Sequence, residues 1–250
     1  MNLATSEIHV WRIDLKIHEE AVQRFRGFLS LDEKERAARF FFEPERRRFT
    51  VARGAMREIL SRYLEIEPQN VKFSYGSRGK PELSPDINTL ELKFNLSHSF
   101  DLALLAVARR FRLGIDIEFV NRDLASEEIA ARFLSGDEIS ALLALPHDQR
   151  VEAFLCCWTR KEAYVKALGG GLSVPLDSFS VAFDPGAAAT LVRVEPFPEE
   201  VARWSMYNIV AGPEYRAALV VEGHGHRLCF FKLRPGSLAP HFTAGRLADG

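Results

Sequence analysis

Apolar and polar positions alternate from Ile8 to Leu15, the period of a half-buried strand, and then give way to helical spacing through the arginine-rich stretch from Ser30 to Leu64. Ser30 followed by Glu33 predicts a capping-box helix start, and Pro44 predicts a break between two helices. Val71 to Tyr75 reads as a short strand, followed by a Gly/Pro loop through Pro85. Leu102 to Ala108 and Leu113 to Glu118 predict a hairpin of buried strands joined near Arg110. Helical spacing returns in Ile129 to Leu145 and Val151 to Leu168, with the glycines from Gly169 to Gly171 placed to cap the second helix. Strand-like runs follow at Ser178 to Phe183, Met206 to Val210, Tyr215 to Val221 and Arg227 to Leu233.

This order predicts an α+β protein of two similar halves, residues 1–120 and 121–234, with a loosely held tail over 235–250. No sequence repeat marks a duplication. Two halves packed face to face would leave a cleft as the natural place for a ligand.

Composition narrows the class. The chain has 250 residues, 47% hydrophobic and 27% charged, enough to bury a sizeable core. No apolar run approaches the roughly 20 residues that span a bilayer, and Met1 to Val10 lacks a signal-peptide pattern, so a cytoplasmic protein with no membrane partner is expected. The three cysteines suit neither a disulfide framework nor a metal knuckle; adjacent Cys156 and Cys157 read as reduced and structural. A net charge of -1 argues against a general nucleic-acid binder. One local exception remains, from Arg24 to Arg62, where eleven basic side chains stand against six acidic ones.

Asp116 and Glu118 are two apart in a predicted strand, so both carboxylates leave the same face while Ile115 and Ile117 point the other way. Two solvated acids at a strand end are the plain reading; a site for a hard, oxygen-seeking cation is the functional one. Glu162 and Lys166, four apart on a predicted helix, share a face and alone amount to an ordinary surface pair.

Together these residues carry a family resemblance. Gly114-Ile115-Asp116-Ile117-Glu118 and, about forty residues on, Trp158-x-x-Lys161-Glu162-Ala163-x-x-Lys166 resemble the paired signatures of the 4′-phosphopantetheinyl transferases. Phe133-Leu134-Ser135 with Glu138, and Gly169-Gly-Gly-Leu172-Ser173-x-Pro175-Leu176-Asp177, resemble the segments between and after them. The length, Arg78-Gly79-Lys80-Pro81 and Asn95-Leu96-Ser97-His98-Ser99 resemble the larger, Sfp-type branch rather than the short trimeric synthases.

The resemblance implies two subdomains related by a pseudo-two-fold axis, with coenzyme A and Mg²⁺ in the cleft between them, acting as a monomer. It implies transfer of the phosphopantetheine arm to a serine of an apo acyl or peptidyl carrier protein, with release of 3′,5′-ADP. Asp116, Glu118 and Glu162 match the magnesium ligands, and Lys166 matches a lysine near the phosphates. Glu118, Glu162, Lys166 and a metal-bound water all remain candidates for taking the serine proton. Ser97 and His98 match a coenzyme A contact, and Gly79, Lys80 and Pro81 match a nucleotide-holding loop. Arg48 and Arg36 match basic residues at the 3′-phosphate end, where Glu33 departs from a lysine carried by related enzymes, so that either Lys34 substitutes or that contact is missing. The carrier is expected to be acidic and helical and to dock near Asn121 to Phe133.

Other features have structural readings. His224 and His226 bracket a glycine in a turn, and Phe40 to Phe42 read as core. A different metal-dependent phosphotransferase is the second reading, although the chain has no GxxxxGK[ST] loop. A nucleic-acid module using the Arg24 to Arg62 patch is the third.

Overall fold

A computed structural model describes residues 1–76, 79–120, 133–170, 174–183 and 188–234. The chain forms two compact units, one of residues 1–110 with the returning segment from Arg227, the other Phe111–His226.

The first unit is built on a four-stranded sheet in the order β11-β1-β5-β4. Its strands are β1 (Glu7–Asp14), β4 (Leu92–Ser99), β5 (Leu102–Arg109) and β11 (Arg227–Lys232). A short hairpin of β2 (Phe73–Tyr75) and β3 (Pro81–Leu83) stands beside it. Helices α1 (Glu19–Phe28), α2 (Leu31–Ala38) and α3 (Glu43–Leu64) complete the unit. α2 opens with the expected Ser30–Glu33 capping box, and Pro44 sits in the first turn of α3, where its missing N–H costs nothing. The core joins Val51, Ala55, Met56, Ile59 and Leu60 of α3 to Trp11 and Ile13 of β1 and to Leu105 and Val107 of β5. Burying each large apolar side chain contributes about 1.5–3 kcal/mol.

The second unit has a three-stranded sheet in the order β6-β10-β9. It comprises β6 (Leu113–Phe119), β9 (Trp204–Asn208) and β10 (Tyr215–Glu222), with a two-stranded pair of β7 (Phe179–Val181) and β8 (Leu191–Val194). Helix α4 (Gly136–Ala144) leads into α5 (His147–Leu168), which packs across β6 and β10. Gly169 ends α5 in the left-handed conformation, φ 70°, which a residue without Cβ adopts at little cost.

Three expectations change. Leu102 to Ala108 and Leu113 to Glu118 are both buried strands, but they are not a hairpin. Both edges of β5 are taken by β1 and β4, so the chain crosses at Arg110 (φ 70°) into the other sheet, where β6 pairs with β10. The strand Arg227–Lys232, placed by sequence order in the second half, runs parallel to β1 with Glu7 opposite Arg227 and His9 opposite Cys229. In the run of three phenylalanines, Phe40 packs on Phe49, but Phe41 and Phe42 stack edge to face in the exposed turn before α3, 88% and 64% exposed. The tail over 235–250 and the expected docking segment up to residue 132 lie outside the described residues.

His224 and His226 are held as turn residues. His224 lies 2.8 Å from Ser205 Oγ and 2.7 Å from the Ala202 carbonyl, and His226 lies 3.0 Å from the Glu222 carbonyl. Among the described residues no helix is long and apolar enough to cross a membrane.

Candidate active site

The second unit gathers the acidic constellation, and Gly114 is the reason. It lies on the face of β6 that α5 covers, so close that a Cβ there would stand 2.1 Å from the Ala163 carbonyl oxygen and 2.4 Å from the Ala167 nitrogen. The opposite end of β6 meets the start of α5: Arg216, across from Glu118 on β10, donates to Glu152 at 2.9 Å. α5 therefore runs antiparallel to β6. Its last turns pass beside Asp116, which shares the face of Gly114 and Glu118.

Asp116 is 3% exposed, and Lys166 Nζ donates to its Oδ1 at 2.5 Å. Glu162, half-buried one turn before Lys166, has its carboxyl pushed above the ordinary glutamate range. Burial is the main cause and the Asp116 carboxylate the second, with Lys166 pulling the other way. Glu162 and Lys166 thus lie on the part of α5 beside Asp116: Lys166 pairs with it, and the Asp116 charge acts on Glu162. Glu118 is half-buried one step further along the same face. The three carboxylates are not packed to within 4.8 Å of one another; Lys166 compensates Asp116 directly. All are hard oxygen donors, the set that magnesium takes.

Sequence order places Asp116 on the outside of the core, yet α5 and the second hydrophobic cluster lie on its face. Ala218, opposite Asp116 in the register, and Val220 belong to that cluster, whereas Ile115 and Ile117 are buried outside it.

Two neighbours in the same motif have a different role. Lys161 and Arg160 are fully buried. Lys161 Nζ pairs with Glu138 Oε2 at 2.7 Å and donates to the carbonyls of Leu176 and Phe179 at 2.7 and 2.6 Å. Glu138 in turn accepts from the Ser135 and Val181 backbone N–H groups at 2.8 and 2.9 Å. Arg160 donates to Asn208 Oδ1 and the Ala182 carbonyl. The signal for Lys161 was its place on the apolar stripe of Phe154, Cys157, Tyr164 and Val165, where a lysine requires an acid. Cys156 and Cys157 are free and buried, and burial pushes both thiols up.

The first unit carries the remaining candidates. Ser97 and His98 sit on the edge strand β4, Ser97 buried and His98 exposed. Gly79 (φ 75°), Lys80 and Pro81 form the exit of the β2–β3 turn. Arg48 donates to Asp101 Oδ1 through Nε and Nη2 at 3.0 and 2.9 Å and lies 4.6 Å from the Phe100 ring centre. Asp101 follows His98 by three residues, so Arg48 and His98 belong to one end of the sheet. Arg36 stacks on Phe49 and lines a surface cavity of about 540 Å³ with Asp32, Glu35, Arg39 and Phe40.

Glu33 is no phosphate contact. It is 2% exposed and binds Arg53 and Arg57, each at 2.6 Å. Arg24 and Arg62 share buried Glu58, and Arg47 binds Glu19. Several arginines of the basic patch are thus paired with acids of the same unit.

A family model described as the 4′-phosphopantetheinyl transferase superfamily matches residues 112–220, and one described as 4′-phosphopantetheinyl transferase, N-terminal, matches residues 17–110. The seam between them falls where the chain passes from one unit to the other. The chain is 40% identical over 225 residues to the 4′-phosphopantetheinyl transferase HetI of Nostoc sp., covering 90% of this chain and 92% of that protein. It is 36% identical over 169 residues to the transferase Sfp of Bacillus subtilis, covering 68% and 73%. With the transferase psf-1 of Bacillus pumilus the identity is 30% over 213 residues, covering 85% and 87%.

Proposed function

The chain belongs to the 4′-phosphopantetheinyl transferases, and from that premise we propose that it moves the phosphopantetheine arm of coenzyme A onto a serine of an apo acyl or peptidyl carrier protein, releasing 3′,5′-ADP in a Mg²⁺-dependent reaction. The serine oxygen attacks the phosphorus that carries the pantetheine arm, and the bond from that phosphorus to the bridging oxygen breaks. The electron pair leaves with 3′,5′-ADP, and the serine proton passes to a base.

Asp116, Glu118 and Glu162 would hold the Mg²⁺. When bound, the cation supplies charge neutralisation and Lewis acidity at the pyrophosphate. Lys166, with 28% of its side chain exposed, is able to turn its ammonium from Asp116 to a phosphate oxygen. For the serine proton, Glu118, Glu162, Lys166 and a metal-bound water all remain candidates. On the first unit, His98 and Ser97, the Gly79-Lys80-Pro81 turn, Arg48 and Arg36 are offered to the nucleotide end of coenzyme A. The pseudo-two-fold pairing of the halves, monomeric action and a cytoplasmic setting remain parts of this proposal.

The observation that carries the reading is the meeting of Asp116, Glu162 and Lys166 from a strand and a distant helix. Purified protein with Mg²⁺ and coenzyme A should add the mass of the arm to apo-carriers by intact mass spectrometry. Chelation, Asp116→Asn and Glu162→Gln should each abolish it. A folded preparation that modifies none of a panel of acyl and peptidyl carriers overturns the proposal.

A further inference from the structure

The first unit carries a second group of ligand-type side chains with no part in the transfer. In the parallel pairing of β1 with β11, His9 stands opposite Cys229, and Glu7 lies two residues before His9. All three therefore leave the same face of the sheet. Their nearest donor atoms, a carboxylate oxygen, a ring nitrogen and the thiol sulfur, lie within 4.8 Å of one another. His9 Nε2 is already 3.3 Å from Glu7 Oε2. In a tetrahedral zinc site, bonds of about 2.0–2.3 Å set neighbouring ligand atoms roughly 3.3–3.8 Å apart, so closure asks for a shift of only about 1 Å.

The surroundings orient these donors. Trp11 Nε1 donates to Tyr63 Oη at 2.8 Å, and Tyr63 Oη stands 2.8 Å from His9 Nδ1. The hydroxyl thus holds one ring nitrogen and leaves Nε2 turned toward Glu7 and Cys229. A cation bound at Nε2 puts the ring proton on Nδ1, where the Tyr63 oxygen accepts it beside the Trp11 bond, the arrangement that fixes metal-bound imidazoles. Glu7 Oε1 is taken by Arg227, while Oε2, which accepts from the Ala4 N–H at 3.2 Å, is the oxygen that faces His9. His9 is 3% exposed and ringed by Tyr63 and Phe231, while Cys229 is half-buried, so the site is shielded yet reachable.

We propose that Glu7, His9 and Cys229 form a site for a borderline-soft divalent cation such as zinc, one that clips β1 to β11 and has no part in the Mg²⁺-dependent chemistry. The mixed sulfur, nitrogen and oxygen set suits zinc over magnesium, because a thiolate is a poor ligand for a hard cation. Water would complete the fourth position.

Cobalt titration tests this. Reduced, chelator-treated protein given Co²⁺ should develop an intense sulfur-to-cobalt charge-transfer band saturating at one ion per chain, because thiolate ligation alone produces it. The band should vanish in Cys229→Ser, weaken in Glu7→Gln and persist in Asp116→Asn, whose site offers only oxygen. Zinc should also slow alkylation of Cys229 by iodoacetamide at least tenfold in the unmodified chain, a readout that needs no variant to fold. Absence of the band in folded protein, its survival in Cys229→Ser, or alkylation unaffected by zinc overturns the site. None of these results bears on carrier modification.

Discussion

Two lysines five residues apart on α5 each pair with a carboxylate, and they do opposite things. Lys161 has no exposed side-chain surface and places its ammonium among three acceptors, the Glu138 carboxylate and two backbone carbonyls. An ammonium has three N–H groups, so nothing is left over for a ligand. Lys166 keeps 28% of its side chain exposed and holds Asp116 beside a second, repelling carboxylate. The first pair fastens the helix to α4 and the edge of β7; under the proposed function the second is the one a charged substrate would compete for. Exposure separates the two pairs: none of the Lys161 side chain reaches solvent, against 28% of the Lys166 side chain.

The largest effect should come from Lys161→Met, which strands the Glu138 charge in the interior and should cost about 3–5 kcal/mol in urea unfolding. Replacing both partners with apolar residues should recover much of that loss, whereas Lys166→Met should cost far less stability and lower turnover about 100-fold or more. Equal destabilisation by the two single lysine variants would erase the distinction.

Gly114→Ala sharpens it from the other side. A methyl 2.1 Å from the Ala163 carbonyl must push α5 away, costing about 1–3 kcal/mol. A displacement near 1 Å at Glu162 and Lys166 should lower turnover about 100-fold while the protein stays folded. Unchanged kinetics in Gly114→Ala would show that the spacing of helix and strand is irrelevant to the chemistry.

The smallest effect concerns an ion pair away from both lysines. Glu222 is drawn down to about 2, first by hydrogen bonds from Arg112 and then by those from Arg203, against the opposing cost of burial. Its folded pKa is depressed, so its contribution is present above the ordinary value near 4.5 and is lost as pH falls from there toward 2. Solvent screening at this partly exposed site holds the effect to about 1 kcal/mol. Glu222→Gln should flatten that part of the acid unfolding curve and leave the Lys161 and Lys166 results untouched.

Local signals in the sequence were reliable where the physics is local. The Ser30–Glu33 capping box, the glycine stop after Leu168 and the alternation that sets Asp116 and Glu118 on one face all depend on residues within a turn or two. The meeting of Asp116 with Glu162 was legible only through paired motifs, because no short-range rule brings a strand to a helix some forty residues away. What escaped was pairing between distant segments. The apolar runs of β5 and β6 look like a hairpin by spacing, and only competition for the edges of β5 decides otherwise. Glu33 reads as a capping-box acid and Glu138 as part of a family-like segment, although each proves to be the buried partner of a basic side chain far along the chain.

The parallel register of β1 with β11 carries an implication for biogenesis. Every strand of the second unit leaves the ribosome before Arg227 does, so that unit is able to mature while one margin of the earlier sheet still waits for its neighbour. Closure of that margin is expected to be the last step of maturation, and a nascent polypeptide stalled before Arg227 would present an open β1 to chaperones.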